Sequence, residues 1–356
     1  MTHEFKEIIA SYAVAKQQGI PAVMATVVDV EGSSYRRPGV GMLILKNGKT
    51  IGAVSGGCVE KEVLRQAQTV FDSGSPKVMT YDGKYRLGCE GLLYILIETF
   101  EINNAGIESI QKHLELRIPF DIKSFYSKID DHNSNMGSVV VFEKSNTFFF
   151  SDQVDQVSFP QHTDTECFFR EMKPCFRLII IGAEHDAAQL CTLASVMGWE
   201  VEVICSPKAP KNLEDFPGAK EVTPVSHEEL RITNDDDQTA IVLMTHNFAK
   251  DLLYLQAIKD VNVSYIGLLG PARRREKLLS AFIEYYPEVT AEFIEIIHGP
   301  AGLNLGAETP QEIAIAIIAE ILSVIRDQDP IPLQDKKGAI HDDSKRKSIK
   351  TIHVKD

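Results

Sequence analysis

The chain has 356 residues, 44% of them hydrophobic and 24% charged, with a formal net charge of -13. That length asks for two or three domains with sizeable cores, and the acidic balance excludes wholesale nucleic-acid binding, which needs a basic face. No stretch is long and apolar enough to span a bilayer, and the first twenty residues lack the apolar run of a signal peptide, so a soluble cytoplasmic protein is expected.

Phe5, Ile8, Ile9, Tyr12 and Ala13 recur at helical spacing, and Gly19 with Pro21 ends that helix. AVMATVVDV (22–30) reads as a buried strand leading into the loop EGSSYRRPGVG. GMLILK returns, Asn47-Gly48 marks a hairpin, and TIGAV continues the sheet. After Ser55-Gly56-Gly57-Cys58 the periodicity of VEKEVLRQAQTVF is helical. KVMTYDG and GLLYILIETF are strands flanking the glycine-rich loop Arg86–Gly91. From about 101 to 173 a helix, the alternating runs SVVVFEK and NTFFF, and a polar connector read as the completion of this mixed domain, followed by a linker.

From Cys175 onward, FRLIII, WEVEVIC, KEVTPV, AIVLMT and VSYIGLL alternate with helical segments, the pattern of a doubly wound parallel sheet. The last long helix opens with Thr309 as cap, Pro310 at its first position and Glu312 as capping-box partner. The expected organisation is therefore a mixed α+β domain with linker over 1–173, a Rossmann-like domain over 174–330, and a charged tail over 331–356, whose composition alone reads as disordered.

The six cysteines are Cys58, Cys89, Cys167, Cys175, Cys191 and Cys205. None are spaced as CxxC, so no zinc ribbon or ferredoxin-like cluster is written here, and no metal is expected to be ligated directly. Ser55, Gly56, Gly57 and Cys58 form a turn between strand and helix start. Unpaired N–H groups there would attract an anion and favour the Cys58 thiolate; the plainer alternative is a small buried residue in a tight turn. Ser33, Ser34, Arg36 and Arg37 supply hydroxyls and guanidinium groups for an oxyanion, or are simply a polar loop. Cys89 is a second cysteine in a glycine-rich turn.

In the second domain Gly182 follows a clean strand, where a dinucleotide-binding turn belongs. Glu184 and Asp186, however, set carboxylates where a pyrophosphate would lie, which disfavours NAD(P). His246 and the run beginning at Arg273 follow later strands and should reach the crevice above the sheet; His246 is a candidate for proton transfer or ligand contact, or a satisfied structural histidine.

ATVVDVEGSSYRRPGVGMLI, IGAVSGGCVEKEV and LGCEGLLYILIE resemble the amino-terminal domain of the XdhC/CoxI family. LIIIGAEHDAAQL, VLMTHNFAKDL, YIGLLGPARRREKLL and GLNLGAETPQEIAIAIIAEIL resemble its carboxyl-terminal Rossmann domain, in the same order. The resemblance implies an accessory factor rather than an enzyme: a homodimeric carrier that protects molybdenum cofactor (molybdopterin), favours its sulfuration with a cysteine desulfurase, and delivers it to a client such as xanthine dehydrogenase. It makes Cys58 and Cys89 the candidate cofactor- or sulfur-handling thiols and places Gly182, His246 and Arg273 in matching motifs. The family usually has GAGHxG where this chain has Glu184 and Ala187. Such proteins are often labelled xanthine dehydrogenase, but this chain lacks that enzyme's length and cluster cysteines. The rival readings are an NAD(P)-dependent oxidoreductase with His246 as acid or base, and a structural partner of a multisubunit molybdenum hydroxylase.

Overall fold

The structure, a computed structural model, describes residues 2–32, 37–55, 57, 59–83, 91–129, 136–143, 146–151 and 165–337, and the backbone of 349–353. The chain divides into one compact unit formed by Met1–Pro174 with Lys336–Asp356 and a second formed by Cys175–Asp335.

The first unit begins with α1 (Thr2–Gln17), β1 (Ala22–Gly32), β2 (Gly41–Leu45), β3 (Thr50–Gly52), α2 (Glu60–Ser73), β4 (Lys77–Asp82) and β5 (Gly91–Thr99). These strands make an antiparallel sheet in the order β3-β2-β1-β5-β4. The near-continuous apolar run of β1 has a physical cause: both faces of the sheet are covered. Val23, Ala25 and Val27 join the cluster containing Val63, Ala67 and Val70 of α2. Met24 faces the other way, into the cluster with Phe5, Ile8 and Ile9 of α1. Val63, Ala67 and Val70 lie four and three residues apart, one apolar stripe of a helix, and Gly74 ends α2 in a left-handed conformation with φ of 72°.

There follow α3 (Asn104–Glu115), β6 (Phe120–Tyr126), β7 (Gly137–Val141), β8 (Thr147–Phe149) and β9 (Glu166–Met172), the strands forming a second antiparallel sheet with β6 between β7 and β9. The stretch read from sequence as a linker thus ends in a sheet strand. Its residues Cys167, Phe168 and Met172 are buried, whereas the polar connector before it lies outside the described residues.

The second unit contains β10 (Arg177–Ile181), α4 (His185–Val196), β11 (Glu200–Cys205), β12 (Ala219–Pro224), β13 (Thr239–Leu243), α5 (Phe248–Ala257), β14 (Tyr265–Leu268), α6 (Ala272–Tyr285), α7 (Ala291–Glu295), β15 (Ile297–His298) and α8 (Pro310–Arg326). All six strands are parallel, in the order β12-β11-β10-β13-β14-β15. The order reverses between β10 and β13, and open α/β sheets bind ligands at such a switch point. Leu178 and Ile180 pack towards α4 and α8, and Ile179 and Ile181 towards α5 and α6. Every residue of β10 and β13 is buried. α8 starts as the sequence requires: Thr309 accepts from the Glu312 N–H while Glu312 reaches back to the Thr309 N–H, with Pro310 in the first turn. β15 has only two residues and carries no sequence signal of its own.

The tail contributes one described strand. Its backbone at Ile349–His353 forms β16, antiparallel to β9 and covering that edge of the second sheet. Open strand edges recruit other strands, so a polar segment with weak intrinsic preference is ordered here by the ladder it completes. Among the described residues no helix is long and apolar enough to cross a membrane.

Candidate functional site

The glycine-turn motifs of the first unit, spread from Gly32 to Gly91 along the sequence, leave the first sheet in one direction, two of them beside the middle of β1 and two at its end. Gly32 at the end of β1 pairs with Gly91 at the start of β5. Gly83, just after β4, donates its N–H to the Gly91 carbonyl at 3.0 Å. Gly52, closing β3, pairs with Met42, and Gly41 with Thr26 of β1. The β1–β2 loop, the β3–α2 turn and the β4–β5 loop therefore all leave in that direction. Ser33, Ser34, Arg36, Gly56, Cys58 and Cys89 lie outside the described residues; Arg37, Ser55 and Gly57 are described and flank them.

The β3–α2 turn is not as the sequence suggests. Its N–H groups were expected to be unpaired; at the described positions they are taken internally. Glu60 in the first turn of α2 accepts the Ser55 N–H and the Ser55 hydroxyl, each at 2.7 Å, and Ser55 Oγ accepts the N–H groups of Gly57 at 3.2 Å and Val59 at 3.3 Å. The reason is a carboxylate five residues after the serine, able to reach back to donors that a helix start leaves exposed. Partial burial pushes the Glu60 carboxyl up, but the Ser55 hydroxyl and the N–H groups around it outweigh that and leave it below the usual range. Gly57 has φ of 121°, and among the described residues nothing lies within 4 Å of a Cβ built there.

Two cations, Arg170 of β9 and Lys128 just after β6, contact residues that flank the arginine loop. Arg170 of β9 is buried and donates from Nη1 to the Gly39 carbonyl; burial lowers its pKa to about 10. A Cβ at Gly39, where φ is 94°, would meet Arg170 Cδ at 3.0 Å and Phe168 Cζ at 3.3 Å, so glycine is required. Lys128 lies 2.5 Å from Asp29 and 2.9 Å from Glu31, with its ammonium 4.5 Å from the Tyr94 ring centroid. Asp29 and Glu31 are two residues apart near the end of β1; Lys128 offsets their mutual repulsion where the loop departs.

In the second unit a crevice of about 770 Å³ opens outside the carboxyl ends of β10, β13, β14 and β15, lined among others by Asp186, His246, Gly270, Arg274, Leu303 and Ile313. His246 Nε2 stands 3.4 Å from Asp186 Oδ2, and the His246 backbone is left-handed, with φ of 55°. Gly182 does not line the cavity. It has φ of 134°, and a Cβ there would run into Met244 and Thr245, so its bare backbone lets the turn after β10 close on the loop that carries His246. Asp251, buried in α5, accepts the Thr245 hydroxyl at 2.6 Å and the Thr245 N–H at 3.2 Å, and pairs with Arg274.

Three details correct the sequence reading. Glu184, expected to stand in the pyrophosphate position, is exposed and absent from the lining; the carboxylate facing the cavity is Asp186. Arg273 is exposed, and the arginine of that run in the crevice is Arg274, because the neighbouring position on α6 faces Asp251. The far wall, Pro300–Ala307, was not anticipated as part of the site. It is tied down by Glu320 of α8, which accepts the Tyr265 hydroxyl at 2.5 Å and the Gly302 N–H at 2.8 Å and lies 3.5 Å from His298. Burial pushes the Glu320 carboxyl up, and these partners, His298 first, pull it below its ordinary value. The glycines at 299, 302 and 306 were the available signal. Cys191 and Cys205 are buried core residues, and burial raises the Cys191 thiol to about 11, far from a thiolate. Among the described residues no cluster of histidine, cysteine and acids could hold a metal ion.

Fold and site together define a two-unit α/β protein: an antiparallel unit whose glycine turns leave its first sheet in one direction, and a Rossmann-type unit with a crevice at its switch point. Residues 15–82 match the XdhC and CoxI family and residues 178–321 the XdhC Rossmann domain. A Bacillus subtilis protein described as a probable subunit of xanthine dehydrogenase is 30% identical over 331 residues, covering 85% of this chain and 92% of that protein. The molybdenum cofactor insertion chaperone PaoD of Escherichia coli is 23% identical, covering 91% and 90%. A crystal structure described as a xanthine dehydrogenase from Bacillus halodurans superposes with a TM-score of 0.72 at 26% identity, covering 91% of this chain and 98% of the other. The chain belongs to the XdhC/CoxI family.

Proposed function

We propose that this protein is an accessory factor that binds molybdenum cofactor, protects it, supports its sulfuration by a cysteine desulfurase, and delivers it to a xanthine dehydrogenase-type client, acting as a homodimer. The observation that carries this reading is that the three glycine turns all leave the first sheet in one direction. The segments leaving that way hold Ser33, Ser34, Arg36, Arg37, Cys58, Arg86 and Cys89, which is the donor set for an anionic ligand that also needs thiols. Among the described residues nothing crowds the space at Gly57, which suits such a ligand. Because Glu60 already serves the Ser55 turn, the anionic end is assigned to Arg36 and Arg37, and the thiols of Cys58 and Cys89 to sulfur handling. Redox chemistry belongs to the cofactor once it is in the client; the chain's part is to hold it, keep water away and release it. Kinship with a protein named as a cofactor insertion chaperone adds support.

The test is anaerobic incubation of the full chain with cofactor released from a donor enzyme, then metal and pterin analysis of the desalted protein. Molybdenum and pterin should co-elute with the protein in a fixed ratio. Arg36→Ala with Arg37→Ala should abolish retention, whereas Cys58→Ser and Cys89→Ser should impair sulfuration of the client more than retention. A wild-type protein that retains neither metal nor pterin refutes the proposal.

A further inference from the structure

The crevice of the second unit has a lining unlike that of a dinucleotide site. Pyrophosphate sites offer backbone N–H groups at a helix start and no facing carboxylate. Here Asp186, in the first turn of α4, faces the cavity, and the lining arginine is already paired with buried Asp251. Apart from Asn304 the remaining walls are apolar or glycine, Leu269, Pro271, Ala301, Leu303 and Ala316 among them. A cavity of about 770 Å³ with apolar walls and few convergent polar groups suits a flat organic ring system rather than a polyanion.

The polar groups narrow the ring's chemistry. Asp186 is half-buried, and its Oδ2 stands 3.4 Å from Nε2 of the exposed His246. Oδ1 has no hydrogen-bond partner among the described residues of this unit and can accept from a ligand. His246 is held in its left-handed turn by the close approach at Gly182 and by the hold of Asp251 on Thr245. Arg274 donates to Asp251 from Nη2, while its buried Nε has no acceptor. The site therefore presents an acceptor carboxylate, an imidazole beside it and a nearby guanidinium, over walls that are apolar except at Asn304.

We infer that this crevice binds a 2-amino-4-oxopyrimidine edge, the face shared by guanine and the pterins, with Asp186 accepting its adjacent N–H donors. A carboxylate accepts two parallel N–H groups well and discriminates strongly against rings that lack one. The aliphatic walls cover the ring faces, and the guanidinium of Arg274 is the donor available to the 4-oxo group. The inference deepens the carrier reading, giving a pterin a place to bind that is separate from the glycine turns; on its own it requires only the edge.

Binding is measured on the full-length protein with free pterin, followed by its own fluorescence, and by calorimetry with guanosine, inosine and NADPH. Pterin and guanosine should bind, and inosine, which lacks the 2-amino group, should bind roughly ten- to a hundredfold more weakly than guanosine. The tighter of pterin and guanosine identifies the source of the edge. Asp186→Asn should weaken pterin binding by a similar factor, with Trp199 fluorescence and the thermal midpoint unchanged. Inosine binding as well as guanosine, NADPH binding more tightly than pterin, or a folded Asp186→Asn that binds pterin normally would each overturn the inference. The inosine comparison uses wild-type protein and needs no variant to fold. If the protein retains molybdenum cofactor but not free pterin, the crevice assignment falls and the carrier reading stands. If it binds pterin but never retains the cofactor, the carrier reading falls instead.

Discussion

A Cβ at position 182 would lie 2.6 Å from the carbonyl carbon of Met244. The turn after β10 thus meets the loop after β13 backbone to backbone, and that contact brings Asp186 next to His246. Gly182→Ala combines this clash with a φ of 134° that side chains avoid, and should destabilise the second unit by about 2–4 kcal/mol. The only tryptophan, Trp199, lies in that unit, so its fluorescence during urea unfolding reports the change directly. A midpoint equal to wild type would mean the loops can part without cost.

Glu60→Gln removes the charged acceptor from the Ser55 turn and should cost about 1–2 kcal/mol near pH 7. The Glu60 carboxyl is lowered in the folded state, so its stabilisation is fully present above the unfolded value and lost as pH falls through the folded one. The gap in thermal midpoint between wild type and Glu60→Gln should therefore narrow on acidification to about pH 3.5. A gap independent of pH would show that the carboxylate charge is not what the turn uses.

Glu98 at the end of β5 is buried and accepts the Ser138 N–H at 2.7 Å and the Ser138 hydroxyl at 2.6 Å. Burial pushes its carboxyl up to about 7, against the pull of Ser138. An acid raised on folding stabilises fully below its unfolded value near 4.5, and this contribution is lost as pH rises through the folded value, by about 3 kcal/mol. Glu98→Gln, which keeps an acceptor but cannot ionise, should flatten that loss. Denaturation of both proteins at about pH 5 and about pH 8 tests it; parallel slopes would refute it.

Glu320→Ala strands the buried Tyr265 hydroxyl and the Gly302 N–H, and should cost about 2–4 kcal/mol, whereas Glu320→Gln retains an acceptor and should cost about 1 kcal/mol. Hydrogen exchange over Pro300–Ala307 should quicken in the alanine variant before the rest of the unit responds. If the loop stays protected, Glu320 is not its anchor.

Much of this protein is legible along the chain because it is written in near neighbours. Thr309, Pro310 and Glu312 announce the start of α8 within one turn. The apolar runs at 177–181 and 239–243 announce buried parallel strands, and glycines 32, 39, 57 and 182 mark turns that L side chains cannot make. Ordered motifs in register carried the family. What local pattern cannot state is which distant groups share a point in space. The sequence shows Ser55 and Glu60 but not that the carboxylate takes the turn's N–H groups, for that depends on how α2 leaves β3. It shows three arginines at 273–275, but the packing of α6 beside Asp251 selects Arg274. It shows Glu184 and Asp186 equally, but Glu184 caps α4 in an extended conformation and faces solvent, while Asp186 in its first turn faces the crevice. The common direction in which the glycine turns leave the sheet follows from strand pairing, Gly32 with Gly91 and Gly52 with Met42, and register across a sheet is fixed by burial of whole faces rather than by the residues of any one turn.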